Sequence, residues 1–84
     1  MKIRVCFFAS IRELVGESEI YLELDNGSDT EELQATLKQN LGGERWNILQ
    51  NNLYKMSINQ SLIESTQKLN DGDEVAFLPR MTGG

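Results

Sequence analysis

One stripe of leucines constrains the fold of this chain more than any other feature of its sequence. The stripe recurs every four residues and consists of Leu33, Leu37 and Leu41. Side chains at this spacing lie on one face of a helix. Two overlapping capping boxes, starting at Ser28 and at Asp29, precede the stripe, and Gly42-Gly43 is expected to end the helix. A helix with one apolar face has to pack that face against a core.

The sequence on either side of this helix has the patterns of β-strands. Residues 2–9 are rich in β-branched and aromatic side chains, and residues 19–24 alternate between apolar and polar ones. After the helix we predict short strands at 56–59 and 62–63, and a last strand at 74–78 that Pro79 ends. The chain therefore offers a sheet to cover the helix.

Two short helical segments complete the prediction. Residues 10–15 form one or two turns that Ser10 caps and Gly16 stops. Residues 46–53 form a second short helix, and Gln60-Ser61 makes a tight connection between the two short strands that follow. The second helix is expected to add three side chains to the edge of the core: Trp46, Leu49 and Leu53.

The order of these elements indicates an α+β fold, a mixed sheet of about four to five strands packed on one main helix. This is the arrangement of a β-grasp, or ubiquitin-like, roll. A ferredoxin-like fold is the alternative, but it needs a second full helix near the end of the chain. Residues 64–73 are too polar and too rich in turn residues for one. We predict one domain over residues 1–78 and a tail at 79–84.

Period-two alternation assigns a face to the side chains of the first and last strands. The core side of the first strand carries Ile3, Val5 and Phe7. This leaves Phe8 on the opposite, mostly polar side, where a large ring is unexpected. In the last strand Val75 and Phe77 face the core, and Glu74, Ala76 and Leu78 face the other way. Phe8 and Leu78 are therefore candidates for an exposed apolar patch.

Charge and rare residue types exclude several classes of function. The 84 residues carry eight Lys and Arg against thirteen Asp and Glu, a net charge of −5, so we expect no nucleic acid partner. No apolar run approaches the ~20 residues of a membrane span, and we expect a cytoplasmic protein. With no histidine and one cysteine, Cys6, we expect no metal site and no autonomous enzyme. Cys6 is expected to be packed rather than nucleophilic.

The sequence closes on Gly83-Gly84. Residues without a Cβ can enter a channel too narrow for any side chain. At a chain terminus such a pair also carries a free α-carboxylate, which can be activated without cutting a peptide bond. Taken alone, this ending fits both a carrier whose reactive group is its own C-terminus and an ordinary frayed end.

Four segments of the chain together resemble the small subunit of molybdopterin synthase. They are VCFFASIRELVG at 5–16, Asn59-Gln60 before a short strand, DGDEVAF at 71–77, and the closing Pro79 with Thr82-Gly83-Gly84. Because these segments keep their order and lie near both ends, the resemblance covers essentially the whole chain.

The resemblance implies a ubiquitin-like sulfur carrier of molybdenum cofactor biosynthesis. In that family an E1-like adenylyltransferase/sulfurtransferase uses ATP to attach AMP to the terminal carboxylate, here Gly84. Sulfur transfer then gives a thiocarboxylate, and the tail enters the large catalytic subunit of a heterotetramer. Two thiocarboxylates in succession supply the dithiolene sulfurs of molybdopterin. The chain is thus expected to bind no cofactor tightly, to carry AMP only transiently, and to be no enzyme on its own.

The resemblance also implies roles for individual residues. The positions that meet partner proteins are Phe8, Arg12, Leu62 and Leu78. The residues that thread the channel are Pro79, Thr82 and Gly83. For Leu62, packing inside the domain fits the sequence equally well. The chain departs from the family at Arg80-Met81, where a second proline and a β-branched residue are frequent, so its tail is expected to be more flexible.

Other functions of this class of chain stay open. A sulfur carrier for thiazole synthesis or transfer-RNA thiolation, and a protein-conjugating modifier, also end in Gly-Gly on a β-grasp domain. A ubiquitin-like binding module with an inert tail is the alternative from a different class. The opening from Phe7 to Leu14 favours the molybdopterin branch.

Overall fold

A computed structural model describes residues 1–80. The predicted tail residues Thr82, Gly83 and Gly84 lie outside the described residues. The described chain forms five strands and three helices in the order β1 (Lys2–Phe7), α1 (Ala9–Val15), β2 (Glu19–Glu23), α2 (Thr30–Leu41), α3 (Gly43–Gln50), β3 (Tyr54–Ile58), β4 (Ser61–Ile63) and β5 (Glu74–Pro79). Within residues 1–80, none of these helices has the length and apolar character needed to cross a bilayer.

The five strands form one mixed sheet in the order β2-β1-β5-β3-β4. β1 and β5 are parallel, with Val5 opposite Val75 and Phe7 opposite Phe77. The other neighbours are antiparallel. Strands from opposite ends of the chain therefore lie side by side within the sheet. The predicted α+β fold, a β-grasp roll with one main helix, is confirmed.

The main helix, α2, begins at the second of the two candidate capping boxes. The carboxylate of Asp29 accepts a hydrogen bond from the Glu32 N–H at 3.0 Å, which satisfies one of the free donors of the first turn. The three leucines of the stripe are each at most 5% exposed. Gly42 ends α2 with a φ of 85°. Gly43 was wrongly predicted to share this role, because it is the first residue of α3.

The core lies between the helices and one face of the sheet. Phe7 and Phe77, on the paired central strands, are both buried, and their rings stack with centroids 5.6 Å apart. The fully buried aliphatic side chains around them include Ile3, Val5, Leu33, Leu37, Leu49 and Val75. Since side chains alternate along a strand, the residues between these core positions face away from the helices.

Residues 64–73 form turns and one isolated β-bridge rather than a helix. The segment is attached to the start of α2, where the Gln67 N–H donates to the Thr30 hydroxyl at 3.2 Å. The Leu69 N–H donates to the Ser28 carbonyl at 2.9 Å, and the Leu69 side chain is buried. The ferredoxin-like alternative, which required a helix here, is therefore wrong.

The prediction that Leu53 contributes to the core is also wrong. α3 ends at Gln50, before Asn51-Asn52, and asparagine is a weak helix former. Leu53 consequently lies outside the helix and is 64% exposed, whereas Leu49 is fully buried and Trp46 is half-buried.

The boundaries of the first and last strands differ slightly from the prediction. β1 ends at Phe7 and α1 begins at Ala9, so Phe8 rather than Ser10 occupies the N-cap position. β5 includes Pro79, which lies opposite Tyr54. A proline is tolerated at the end of a strand, where the missing N–H removes at most one bond of the ladder.

The turn between β3 and β4 is Asn59-Gln60 rather than the predicted Gln60-Ser61. Both turn residues have positive φ, 49° and 71°, and two-residue turns of this kind match the twist of a hairpin. The Asn59 side chain also anchors the start of β5, because its oxygen accepts from the Glu74 N–H and its nitrogen donates to the Asp73 carboxylate, each at 3.0 Å. The register of the hairpin is thereby fixed.

We expect Leu37→Ala to lower the free energy of unfolding by about 2–5 kcal/mol, because it leaves a cavity in the core. Leu53→Ala is the matched control. It removes the same atoms from an exposed position and is expected to change stability by less than about 0.5 kcal/mol. Urea unfolding followed by circular dichroism measures both values. Equal losses in the two variants would contradict this placement of the core.

Candidate functional site

The sheet face opposite the helices carries an open groove of about 410 Å³. Three predicted docking residues line it, namely Phe8, Leu62 and Leu78. Phe8 is 44% exposed, Leu62 is 60% exposed and Leu78 is half-buried. The assignment of Phe8 and Leu78 to the side away from the core is confirmed. Leu62, for which the sequence left two interpretations open, is on the surface.

Small side chains form a recessed row across this face of the sheet. Cys6 lies opposite Ala76, Ala76 opposite Ser57, and Ser57 opposite Leu62. The first three are at most 5% exposed although they face away from the helices. A low row beside large apolar side chains gives the surface a depression into which an apolar group of another protein can pack.

The junction between β1 and α1 fixes the position of Phe8. Its N–H donates to the Phe77 carbonyl at 3.1 Å, and its own carbonyl accepts from the N–H groups of Ile11 and Arg12 at 3.1 and 3.3 Å. Ala9 follows with a φ of 50°, which is uncommon for a residue with a side chain. The backbone of Phe8 is therefore held by β5 on one side and by α1 on the other.

Arg12, the fourth predicted docking residue, lies beside the same groove. It lines a second depression of about 360 Å³ that shares Phe8, Gln60 and Glu74 with the first. The Arg12 side chain is exposed. The four residues thus share one continuous surface. We call the surface formed by Phe8, Arg12, Leu62 and Leu78 the docking face.

A cluster of three charged residues borders the docking face. Arg4 donates to the Glu19 carboxylate at 2.7 Å and to the Glu74 carboxylate at 3.4 Å, which links β1 to both of its neighbours. The hydrogen bond to Glu19 raises the pKa of Arg4, so the guanidinium stays charged. All three side chains are partly exposed, and such pairs contribute little stability. Their main effect is that the single positive charge of Arg4 offsets part of the negative charge of two carboxylates beside the groove.

Cys6 is buried below this surface, as predicted. Burial raises the pKa of its thiol, and the nearby Arg4 charge only partly opposes that effect. A protonated thiol is a poor nucleophile. Across residues 1–80, no group of three or more His, Cys, Asp or Glu side chains is arranged to hold a metal ion.

The sequence did not identify the polar lining of the groove. Ser57, Gln60 and Glu74 all contribute to it. Alternation along the last strand had already put Glu74 on the same side as Leu78, so this residue could have been found. Alternation at 56–59, where Met56 and Ile58 are apolar, places Ser57 on the opposite side, so this residue could have been found as well.

β5 brings the end of the described chain to the rim of the docking face. Leu78, which lines the groove, lies opposite Lys55. Two residues later, the Arg80 N–H donates to the Leu53 carbonyl at 3.3 Å. Two residues span at most about 7 Å, so Arg80, the last described residue, lies directly beside the groove.

Comparison with known proteins shows similarity over the whole chain. Residues 5–84 match the ThiS family. The chain is 38% identical over 85 residues to the molybdopterin synthase sulfur carrier subunit of Escherichia coli, covering 98% of this chain and 99% of the relative. It is 37% identical over 83 residues, with the same coverage, to the protein of that name from Haemophilus influenzae.

A solved structure shares both fold and sequence with this chain. It is the complex of subunits 1 and 2 of molybdopterin-converting factor from Helicobacter pylori, with a TM-score of 0.71, 29% identity and full coverage of both matched chains. The β-grasp domain that carries the groove, and whose described residues end at Arg80, is therefore the same domain over which the sequence similarity extends. With residues 5–84 matched and more than a third of the positions identical to named relatives, the chain belongs to the ThiS family.

Proposed function

We propose that this chain is the sulfur-carrier subunit of molybdopterin synthase and acts in molybdenum cofactor biosynthesis. The observation that carries the proposal is the similarity to two relatives that bear this name, which are 37% and 38% identical to this chain over nearly its full length. The opening segment at 5–16 falls on β1 and α1 and includes Phe8 and Arg12, and the closing segment contains Gly83-Gly84. The family match over residues 5–84 spans both segments, which supports the proposal.

In this proposal the sulfur is carried on the carboxylate of Gly84. A carboxylate is a poor electrophile, so its oxygen first attacks the α-phosphate of ATP, releasing pyrophosphate and forming an acyl-adenylate. Hydrosulfide (HS⁻) delivered by the sulfur donor then attacks the acyl carbon, AMP leaves with the electron pair of the broken C–O bond, and the thioacid loses its proton. The product is a thiocarboxylate, a soft nucleophile that can attack the pterin precursor. AMP is attached only transiently, and no tightly bound cofactor is required.

Two protein partners follow from this chemistry. An E1-like adenylyltransferase/sulfurtransferase loads Gly84, and the large catalytic subunit accepts the sulfur in the cytoplasm. The Helicobacter pylori structure contains subunits 1 and 2 of its factor together, which supports a large-subunit partner for this chain. We assign catalysis to that subunit and sulfur donation to this one. The docking face supplies the apolar contact, Pro79 at the end of β5 leads into the tail, and Thr82 and Gly83 supply the narrow segment that threads the channel to the reacting group.

The alternatives differ in what becomes of the activated carboxylate. A carrier for thiazole synthesis or transfer-RNA thiolation forms the same thiocarboxylate but passes sulfur to a different acceptor. A protein-conjugating modifier passes its acyl group to an amine and never needs sulfur. A binding module with an inert tail forms no adenylate. The fate of Gly84 therefore separates these functions.

We expect the intact mass of the chain to increase after incubation with an active E1-like enzyme, ATP and a sulfur donor. The increase should equal the replacement of one oxygen by sulfur and should map to Gly84. Deleting Gly84 is expected to abolish the change while leaving the circular dichroism spectrum intact. Adenylate without sulfur would favour a modifier. An unchanged mass, with an enzyme active on its own carrier, would support the inert-tail alternative.

We expect Leu62→Glu to weaken binding of the large subunit at least about tenfold, because it places a charge in the apolar groove. Leu14→Glu is the matched control. Leu14 is also an exposed leucine, but it lies two positions after Arg12 on α1 and so on another side of that helix. It is expected to change affinity less than about twofold. Calorimetric titration measures both affinities. Equal affinities for the two variants would show that the groove is not part of the interface.

A further inference from the structure

The acidic residues of this chain are unevenly distributed. Although acids outnumber bases by thirteen to eight, no Asp or Glu occurs from Arg45 to Ile63 or after Glu74. The first of these stretches contains β3 and β4, and the second contains most of β5. β3 and β5 are paired up to the last residue of β5. Of these two strands, only β5 carries a carboxylate, Glu74 at the end opposite the last residue of β5, in a chain whose net charge is −5.

Two cations lie at this end of the sheet. Lys55 is exposed and lies opposite Leu78, so the two side chains share the face that carries the groove. Arg80 is exposed directly after β5. The ion pairs within residues 1–80 are made by the N-terminus, Arg4 and Arg45. Lys55 and Arg80 have no ion-pair partner in that part of the chain.

An exposed leucine lies next to these two cations. Leu53 is 64% exposed, and its carbonyl accepts from the Arg80 N–H. It precedes Lys55 by two residues, a spacing that puts both side chains on one side of an extended chain. Leu53, Lys55 and Arg80 thus form a mixed apolar and cationic area that adjoins the docking face at Leu78.

We propose that Leu53, Lys55 and Arg80 extend the docking face to the exit of the tail, and that they contact an acidic rim around the channel that admits the Gly-Gly segment. The inference rests on the proposed function, because it requires that the tail enters a partner. An acidic protein is repelled by an acidic rim in most orientations. It is attracted where Lys55 and Arg80 are exposed, so the encounter is favoured in the orientation that points this end of β5 toward the channel.

The partner of this area is a protein surface rather than a polyphosphate. Binding to nucleic acid depends on many phosphate contacts from a dense basic surface, and this area offers two cations, Lys55 and Arg80, on a molecule of net charge −5. An exposed leucine beside them suits an apolar contact inside a rim of carboxylates, the usual arrangement of a protein interface.

The association rate with the large subunit of molybdopterin synthase from the same organism tests this inference. The double variant K55E/R80E is compared with K2E/K38E, which makes the same change in net charge at exposed lysines away from the tail exit. At low salt we expect the association rate constant of K55E/R80E to be at least about tenfold lower than that of wild type. The rate constant of K2E/K38E is expected to lie within about twofold of the wild-type value. The difference should shrink at high salt because exposed charges are screened.

A second pair of measurements keeps the two proposals distinct. K55Q/R80Q removes the charges without reversing them, so its rate should fall between those of wild type and K55E/R80E. Sulfur transfer by wild type is measured with the same preparations. If wild type transfers sulfur while K55E/R80E associates as fast as K2E/K38E, the acidic rim is wrong and the proposed function stands. If wild type neither binds nor transfers sulfur, both proposals fail.

Discussion

The structure depends on the parallel pairing of β1 with β5. Arg4 and Glu74, which face each other in this pair, are 70 positions apart in the sequence. Bringing such distant segments together has an entropic cost that rises slowly with loop length. The stacking of Phe7 on Phe77 and the burial of the surrounding aliphatic side chains offset it. Every other element of the described chain packs around this pair or extends its sheet.

The same pairing produces the docking face. Because alternate residues of each strand point in opposite directions, the register that buries Phe7 beside Phe77 also places Cys6 beside Ala76 and brings Phe8 near Leu78. One side of the two strands is the core and the other is the docking face. Since β5 ends at the rim of the groove, this one strand sets the positions of both the docking face and the start of the tail. A shift of register by one residue would destroy the core and the docking face together.

Local patterns predicted the parts of the fold that local forces decide. The leucine stripe of α2, the stop at Gly42 and the alternation that exposes Phe8 and Leu78 depend on neighbours within a few residues. The errors arose where a short segment could be continued in more than one way. The predicted helix over 46–53 extends beyond the observed end at Gln50, so Leu53 was wrongly assigned to the core although its side chain is exposed. The position of Leu62 depends on a turn register that the tertiary contacts of Asn59 determine.

We propose that the docking face presents Gly84 to a catalytic subunit as a sulfur donor. It is tested most directly with a chain that carries a thiocarboxylate at Gly84 before the assay begins. This chain is mixed with the large subunit and the pterin precursor, without ATP and without the adenylating enzyme. We predict dithiolene formation in a single turnover, with two thiocarboxylates consumed for each product molecule. Tight binding of the thiocarboxylate chain without any transfer of its sulfur would contradict the account.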